Sequence, residues 1–314
     1  MPGLTVEAPA KINLYLRIGE RRADGYHGIE SLFVPLAFGD TLRVGLLDGE
    51  GPPRVRMEGS PAVRGLPPGD NILYAAFSLF REKTGFCRRL DIEVTKRIPM
   101  GGGLGGGSSD AAALLAALDR LSGAGLPGKD LRTMAEKLGS DVPFFLLGGA
   151  ALAGGRGECL APVDFPAGMP LVLVNPGFAS DTAAAYRRLD RLRPEAPRKG
   201  SFQAAGETES DGDFAGRAAC LESRIAGKMR DWPRGNDFLP VFRDDGENGD
   251  GAVYTEILSA LDGAGADFSG LSGSGSTCFG IFTDGGRAET AADMLSKGWP
   301  FVRLTFSLRA GSRR

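Results

Sequence analysis

Six glycines fall within eleven consecutive residues of this chain, and they constrain its backbone more than any other feature. The segment follows a strand-like run at 90–94 and precedes a helix predicted over 110–121. Because glycine has no Cβ, such a loop can approach a polyphosphate closely, and the first free amides of the following helix attract negative charge. The segment therefore predicts a phosphate-binding loop between a strand and a helix. Its residues are Pro99, Met100, Gly101, Gly102, Gly103, Leu104, Gly105, Gly106, Gly107, Ser108 and Ser109.

This glycine loop does not match two common nucleotide-binding motifs. Gly101, Gly103 and Gly106 have the spacing of the dinucleotide fingerprint, but residues 122–138 read as loop and helix where a second strand with its acidic residue belongs. The Gly-Lys-Ser/Thr ending of a Walker A loop is missing. A flexible connector is the plain alternative, although connectors seldom need six glycines. Ser108 and Ser109 either cap the helix or donate hydroxyls to phosphate oxygens.

The composition argues against several classes of partner. The chain has 314 residues with 37 lysines and arginines against 39 aspartates and glutamates, so its net charge of -2 gives no basic field for nucleic acid or an anionic membrane. No apolar run approaches the ~20 residues that span a bilayer, and the N-terminus resembles neither a signal peptide nor an import presequence. The sequence predicts a cytoplasmic protein without nucleic-acid or membrane partners, and it leaves the oligomeric state open.

Apolar periodicity predicts strands and helices in both halves of the chain. In the first half we expect one mixed sheet, with Pro143 marking a helix boundary or a new first turn. The predicted strands there are 12–18, 31–36, 41–47 and 90–94, and the helices are 71–83, 110–121 and 130–138. The second half is predicted to contain strand 171–174, helix 182–192, helix 253–261, loop 269–277, strand 278–282, helix 287–297 and strand 302–308. The acidic stretches 206–213 and 244–251 are predicted to be solvated loops.

Three segments together resemble the GHMP small-molecule kinases. They are Pro-Ala-Lys-Ile-Asn-Leu at 9–14, the glycine loop, and Leu-Ser-Gly-Ser-Gly-Ser-Thr-Cys-Phe at 271–279. The resemblance implies an α+β, two-domain GHMP kinase fold, with an S5-like ATP-binding domain at 1–160 and a ferredoxin-like substrate-side domain at 161–314. ATP and substrate would meet in the cleft between these domains. Mg²⁺ is expected because polyphosphate charge must be neutralised, and no metal ligand is assigned.

Two further runs narrow the resemblance. Asp-Gly-Tyr-His at 24–27 and Gly-Ser-Asp-Val-Pro-Phe-Phe at 139–145 look like the family member that uses ATP to phosphorylate the 2-hydroxyl of a cytidine diphosphate-linked methylerythritol, in non-mevalonate isoprenoid precursor biosynthesis. A homoserine or mevalonate kinase would also have the glycine loop, but it would not require Tyr26 and His27 because it binds no cytidine. A nucleotide-binding scaffold without turnover is the alternative outside the enzymes, and the retention of Lys11 and Asp141 argues against it.

The resemblance assigns two catalytic roles. Asp141 matches the family's catalytic base, and Lys11 matches the lysine that pairs with it and stabilises charge on the reacting oxygens. From pattern alone, Asp141 is as readily a helix N-cap, and Lys11 is more commonly a solvated lysine on a strand. The family motif favours catalysis for both.

The substrate-binding residues are also taken from the resemblance. Tyr26 and His27 match residues that hold the cytosine, and ring stacking is worth ~1–3 kcal/mol per base. Tyr186 stands where the family places a second ring, although helical spacing alone would also explain it. Thr182 lies on the approach to the substrate, and Asn13 belongs to the first motif.

Two residues near the nucleotide and one departure from the family complete the expectations. Asn71 matches an adenine-contacting asparagine and is also a preferred N-cap residue. Lys96, between a strand and the glycine loop, either flanks the nucleotide or faces solvent. The chain departs from the family at Asp110, where small residues or asparagine occur.

Overall fold

The computed structural model describes residues 3–59, 69, 71–193, 211–243, 250–309 and 311. The strands of these ranges are β1 (Leu4–Arg21), β2 (His27–Glu50), β3 (Arg54–Glu58), β4 (Arg88–Thr95), β5 (Ala151–Gly154), β6 (Cys159–Pro162), β7 (Pro170–Asn175), β8 (Phe268–Leu271), β9 (Cys278–Ile281) and β10 (Phe301–Phe306). The helices are α1 (Ile72–Thr84), α2 (Gly106–Ser122), α3 (Gly128–Leu138), α4 (Val142–Leu147), α5 (Thr182–Leu192), α6 (Asp211–Ile225), α7 (Phe238–Arg243), α8 (Asp250–Gly263) and α9 (Gly285–Leu295). The described ranges thus contain runs of strands and runs of helices, as expected for an α+β protein.

Contacts divide the chain into two compact units, and each unit is built from several separate segments of the sequence. The first unit comprises Met1–Ala10, Phe38–Met100 and Gly105–Gly148, and the second comprises Lys11–Ala37, Gly101–Leu104 and Gly149–Arg314. The glycine loop therefore contributes residues to both units.

In the first unit, strands and helices form two layers. The second half of β2 pairs antiparallel with β4, and β3 pairs parallel with β4. Alternate residues of β4, Leu90, Ile92 and Val94, are fully buried, as are Leu42 and Val44 of β2. Helices α1, α2, α3 and α4 pack against one another. This arrangement places the end of β4 and the start of α2 at the two ends of the glycine loop.

The second unit is built on a four-stranded antiparallel sheet in the order β10-β7-β9-β8. Helix α8 packs on β8 and β9, and α9 packs on β7 and β10. The first half of β2 pairs with β5, which pairs with β6. The mixed sheet predicted for the first half of the chain is confirmed, because β3–β4 is parallel while the β2 pairs are antiparallel.

Several predicted boundaries are wrong for identifiable reasons. The strands predicted at 31–36 and 41–47 are one continuous strand, β2. Gly39, between them, lies within this strand, and a Cβ there would lie 2.3 Å from the carbonyl oxygen of Ala8. The glycine thus permits a close backbone approach. Similarly, α2 begins at Gly106, four residues before the predicted start.

The sequence analysis also missed strands and helices. Strand β3 was missed because charged residues alternate along it, yet these charges pair across the ladder: Arg54 contacts Asp91, and Arg56 contacts both Asp91 and Glu93. Short β5 and β6 were also missed, as was β8, whose last three residues fall in the predicted loop 269–277. So were helices α6 and α7. Of the predicted acidic loops, 206–210 and 244–249 lie outside the described residues, while 211–213 and 250–251 begin α6 and α8.

No helix in the part of the chain that the structure describes has both the length and the apolar character needed to cross a membrane.

Candidate active site

Lys11 is a buried lysine in the second unit. It lies on β1 with only 4% of its surface exposed, so the alternative of a solvated lysine is wrong. Its Nζ donates a hydrogen bond to Oδ1 of Asn13 at 2.6 Å and lies 4.6 Å from the ring centroid of Phe33. A buried cation held in this way has lost much of its hydration and interacts strongly with nearby negative charge.

Asn13 has a fixed orientation next to Lys11. Its Oδ1 accepts from Lys11, and its Nδ2 donates to the hydroxyl of Ser31 at 2.8 Å. That hydroxyl donates in turn to the carbonyl of Tyr15 at 2.6 Å. The backbone amide of Asn13 donates to Oγ of Ser272 at 3.2 Å. Asn13 therefore connects the lysine to the segment 272–277.

Residues 101–104 of the glycine loop pack directly against the segment 272–277. The hydroxyl of Ser272 donates to the carbonyl of Gly103 at 2.8 Å, and the amide of Thr277 donates to the carbonyl of Gly102 at 3.2 Å. Gly103 has φ +74°, and a Cβ there would lie 2.1 Å from the carbonyl oxygen of Ser272. Gly103 is thus required by packing within the protein, whereas a Cβ at Gly107 would meet nothing within 4 Å.

Segment 272–277 also holds the start of α5. Thr182 Oγ1 and Ser274 Oγ are 2.7 Å apart, and the hydroxyl of Ser180 donates to the carbonyl of Ser274 at 2.7 Å. Asn236 donates from Nδ2 to the carbonyls of Leu271 and Gly273. The structure therefore brings Lys11, Asn13, Thr182 and residues 101–104 to one part of the second unit through this segment.

The remaining part of the glycine loop forms the first turn of α2 in the first unit. Gly105 is the N-cap residue with φ +73°, and it has no side chain to bond the helix amides. Ser108 and Ser109 lie inside the helix, so the alternative that they cap it is wrong. The first amides of a helix lack acceptors within that helix and attract anions. This turn can therefore bind phosphate through its backbone.

Lys96 is buried in the first unit and does not face solvent. Its Nζ donates to Oδ2 of Asp110 at 2.6 Å and also contacts Oδ2 of Asp40. Burial raises the pKa of Asp110 to about 7; Lys96 opposes this rise and Asp40 adds to it. Burial alone would lower the pKa of Lys96, but the two carboxylates raise it. Asp40 was not singled out in the sequence, and only its contact with Lys96 reveals it.

Asn71 and Asp141 stand at two helix starts of the first unit. The Oδ1 of Asn71 accepts from the amide of Leu73 at 3.0 Å, so this side chain is the N-cap of α1. Asp141 precedes α4 with helical backbone angles, and it caps no amide of that helix, all of whose residues are described. Its carboxylate is therefore not used for capping.

Two of the three predicted cytosine-binding residues pack together in the second unit. The rings of His27 and Tyr186 are stacked, with centroids 5.3 Å apart and an interplanar angle of 15°. Nδ1 of His27 lies 3.0 Å from the carbonyl oxygen of Gly19, and Nε2 lies 2.9 Å from Oδ1 of Asp190. Asp190 belongs to no motif, so sequence reasoning had no signal by which to find it.

Tyr26 remains 57% exposed. The guanidinium of Arg156 lies 4.9 Å from its ring centroid, a cation–π distance. Arg156 occupies the turn between β5 and β6, and this turn is fixed to β2 because the amide of Ile29 donates to the carbonyl of Gly155 at 2.8 Å. An exposed aromatic ring can accept a flat ligand by stacking. Sequence reasoning did not identify Arg156.

The site suits a nucleotide better than a resident metal. The open position at Gly107 and the amide-lined turn of α2 fit a polyphosphate. Among the described residues, no three His, Cys, Asp or Glu side chains are grouped so that they could hold a metal ion. Mg²⁺ commonly binds through substrate phosphates and waters with one or two carboxylates, so this finding is compatible with magnesium bound mainly to ATP.

Comparison with known proteins gives the family. Residues 71–149 match the GHMP kinases N terminal domain, and residues 252–300 match the GHMP kinases C terminal domain. The 4-diphosphocytidyl-2-C-methyl-D-erythritol kinase of Treponema pallidum (strain Nichols) is 39% identical over 305 residues, covering 95% of this chain and 97% of the relative. The enzyme of the same name from Deinococcus radiodurans is 39% identical over 320 residues, covering 98% and 95%.

Solved structures agree with this result. A crystal structure of 4-(cytidine 5'-diphospho)-2C-methyl-D-erythritol kinase superposes with a TM-score of 0.73 at 33% identity, covering 97% of this chain and 99% of the other. Homoserine kinase from Cytophaga hutchinsonii reaches a TM-score of 0.66 at 19% identity, covering 100% and 97%, which shows a shared fold alone.

The fold and the glycine loop define a small-molecule kinase of the GHMP type, as expected from the sequence. Because relatives 39% identical align over almost the whole chain, the chain belongs to the 4-diphosphocytidyl-2-C-methyl-D-erythritol kinase family.

Proposed function

We propose that this protein transfers the γ-phosphoryl group of ATP to the 2-hydroxyl of 4-diphosphocytidyl-2-C-methyl-D-erythritol, a step of non-mevalonate isoprenoid precursor biosynthesis. The observation that carries the proposal is the buried ammonium of Lys11, held 2.6 Å from Asn13 beside residues 101–104 in a chain of this kinase family. ATP-dependent transfer needs positioning and charge neutralisation more than covalent chemistry. A buried lysine next to a phosphate loop provides both.

On this proposal, Lys11 stabilises negative charge on the reacting oxygens, and Asp141 accepts the proton of the attacking hydroxyl. Support comes from the burial of Lys11 and from an Asp141 carboxylate that does not cap α4. Asn13 would keep the ammonium in place through the hydrogen bond at its Oδ1.

ATP would bind through the glycine loop at 99–109, with the first-turn amides of α2 and the Ser108 hydroxyl meeting the phosphates. Asn71 would contact adenine with the side-chain atoms that its capping bond leaves available. Lys96 would act on the nucleotide site through its hydrogen bond to Asp110 and would not touch the nucleotide. Mg²⁺, when bound, would neutralise polyphosphate charge. We further propose that residues 1–160 form an ATP-binding domain that also contributes Asn13, Tyr26 and His27 to the substrate, that 161–314 form a substrate-side domain, and that the protein works in the cytoplasm.

The cytosine would stack on Tyr26 and Tyr186, with Thr182 and Asn13 nearer the sugar alcohol. Both ring nitrogens of His27 face acceptors, Gly19 and Asp190. The ring of His27 would therefore support the Tyr186 ring, and the backbone of His27 would be the part that reads the base edge.

The test is ADP release by the purified protein with Mg-ATP, comparing diphosphocytidyl-methylerythritol, methylerythritol phosphate, homoserine and mevalonate. Turnover with the cytidine compound alone, abolished in Asp141→Asn, is the expected result. Equal turnover of another alcohol would reject the substrate, and ATP binding without turnover of any of them would favour a scaffold.

A further inference from the structure

Three charged side chains are buried together at the base of the glycine loop in the first unit. Asp40 is fully buried, Asp110 is 1% exposed and Lys96 is 6% exposed. Lys96 donates to both carboxylates, which come from β2 and α2. Buried charges are costly, so a group of three needs an explanation beyond stability.

The group joins the two ends of the glycine loop. Oδ1 of Asp40 accepts from the amide of Ile98 at 2.8 Å and also from the amide of Arg97, at the entry to the loop. At its exit, Gly106 packs on Ile98, since a Cβ there would lie 3.1 Å from Cγ2 of that residue. Asp110 lies one turn further along α2 and is tied to the same lysine. These contacts therefore hold the two ends of the glycine loop at a fixed distance from each other.

The group does not balance its charges when both carboxyls are ionised. One ammonium then faces two carboxylates, and the group carries one net negative charge near the first turn of α2. Among the described residues, Oδ1 of Asp110 and Oγ of Ser109 are buried without a hydrogen-bond partner. A buried carboxylate oxygen without a donor is costly, whereas the neutral acid lowers that cost.

We propose that Asp110 is a positioning residue of the nucleotide site. Through Lys96 and Asp40 it holds the first turn of α2 in place, and its own ionisation sets the net charge of this three-residue group beneath the bound phosphates. The inference rests on the proposed function, because it assumes that the phosphates of ATP lie at this turn. Neutral Asp110 leaves the group uncharged and favours phosphate binding. Ionised Asp110 adds a negative charge that opposes it.

The charges that act on Asp110 are those of Lys96 and Asp40. Helix α4, which packs on α2, has no charged residue within Val142–Leu147. The charged residues of the other helices packed on α2 are Arg81, Glu82 and Lys83 on α1 and Lys129, Asp130, Arg132, Glu136 and Lys137 on α3. Burial raises the pKa of Asp110 to about 7, with Asp40 adding to the rise and Lys96 opposing it, so its ionisation falls within the working range of an assay.

The experiment measures the dissociation constant of Mg-ADP by calorimetry at pH 6 and pH 8 for the wild type, Asp110→Asn and Asp48→Asn. Asp48 is an exposed carboxylate on β2 in the same unit and serves as the control. From pH 6 to pH 8, the affinity for Mg-ADP should fall about threefold to tenfold more in the wild type and in Asp48→Asn than in Asp110→Asn. The reason is that residue 110 cannot ionise in the last variant. Titration of ADP itself is common to all three proteins and cancels.

A second measurement uses the wild type alone and so does not depend on the folding of a variant. Reciprocal coupling requires that Mg-ADP binding near pH 7 promote protonation of Asp110. Calorimetry in two buffers of different ionisation enthalpy should therefore detect net proton uptake. Equal pH dependence in wild type and Asp110→Asn, or no uptake, would overturn the inference while leaving the proposed function intact. Failure of the wild type to bind Mg-ADP at either pH would instead reject the proposed nucleotide site.

Discussion

Nε2 of His27 lies 2.9 Å from Oδ1 of Asp190, while the ring of His27 stacks on Tyr186. A residue of α5 thereby fixes the ring at the start of β2. Since the other ring nitrogen faces the Gly19 carbonyl, Asp190 is the partner that holds the ring from the α5 side.

Replacing Asp190 with alanine should therefore weaken binding of the cytidine substrate. We expect its KM to rise about fivefold, equivalent to about 1 kcal/mol for a partly exposed polar contact, with kcat and the KM for ATP unchanged. Initial-rate kinetics with each substrate varied in turn would measure this. Asp293→Ala, on the exposed side of α9, is the control, and a change in kcat alone would contradict the positioning of His27.

Replacing Arg156 with alanine should release the exposed ring of Tyr26. An exposed cation–π contact is worth about 0.5–1 kcal/mol, so we expect the dissociation constants of both cytidine and cytidine diphosphate to rise two- to fivefold. Loss confined to the diphosphate would instead show that Arg156 binds phosphate. In combination with Tyr26→Ala, the arginine substitution should add little, because the two residues act as one unit.

Gly103 and Gly107 should respond oppositely to alanine. Gly103→Ala places a methyl group 2.1 Å from the carbonyl oxygen of Ser272 at positive φ, and we expect a loss of stability of roughly 2–4 kcal/mol. Gly107→Ala meets open space within α2 and should keep or raise stability by about 0.5–1 kcal/mol. It should nevertheless raise the KM for ATP. Denaturant unfolding together with ATP kinetics measures both effects, and normal ATP kinetics in Gly107→Ala would contradict a close approach of phosphate there.

The stability of the protein should decrease with increasing pH because of Asp110. Burial raises its pKa to about 7 from an ordinary value near 4, so the folded state favours the protonated form. This contribution is fully present below about pH 4 and is lost as pH rises through about 7, at roughly 1.4 kcal/mol per unit of pKa difference. Denaturant unfolding of wild type and Asp110→Asn at pH 5, 6, 7 and 8 isolates it, and parallel curves would contradict the assignment.

Local sequence determined most helices and several strands, because periodicity depends on residues two to four positions apart. Helix α5 was predicted at its observed bounds, and β4 and β7 at nearly theirs. The separation of strands 31–36 and 41–47 was wrong, because Gly39 lies within β2 and permits a close approach to the backbone of Ala8. Motifs spread along the chain also indicated the family, which the aligned relatives confirm.

The partners of the site residues were decided only by the tertiary structure. Lys96 and Asp40 are 56 residues apart, and nothing local shows that they meet; burial of the strand end and of α2 brings their charges together. The pairing of His27 with Asp190 likewise depends on α5 lying beside the start of β2. Sequence thus predicted which residue types phosphoryl transfer requires, whereas packing determined which charges they face, and the burial of Asp110 is what raises the pKa of its carboxyl.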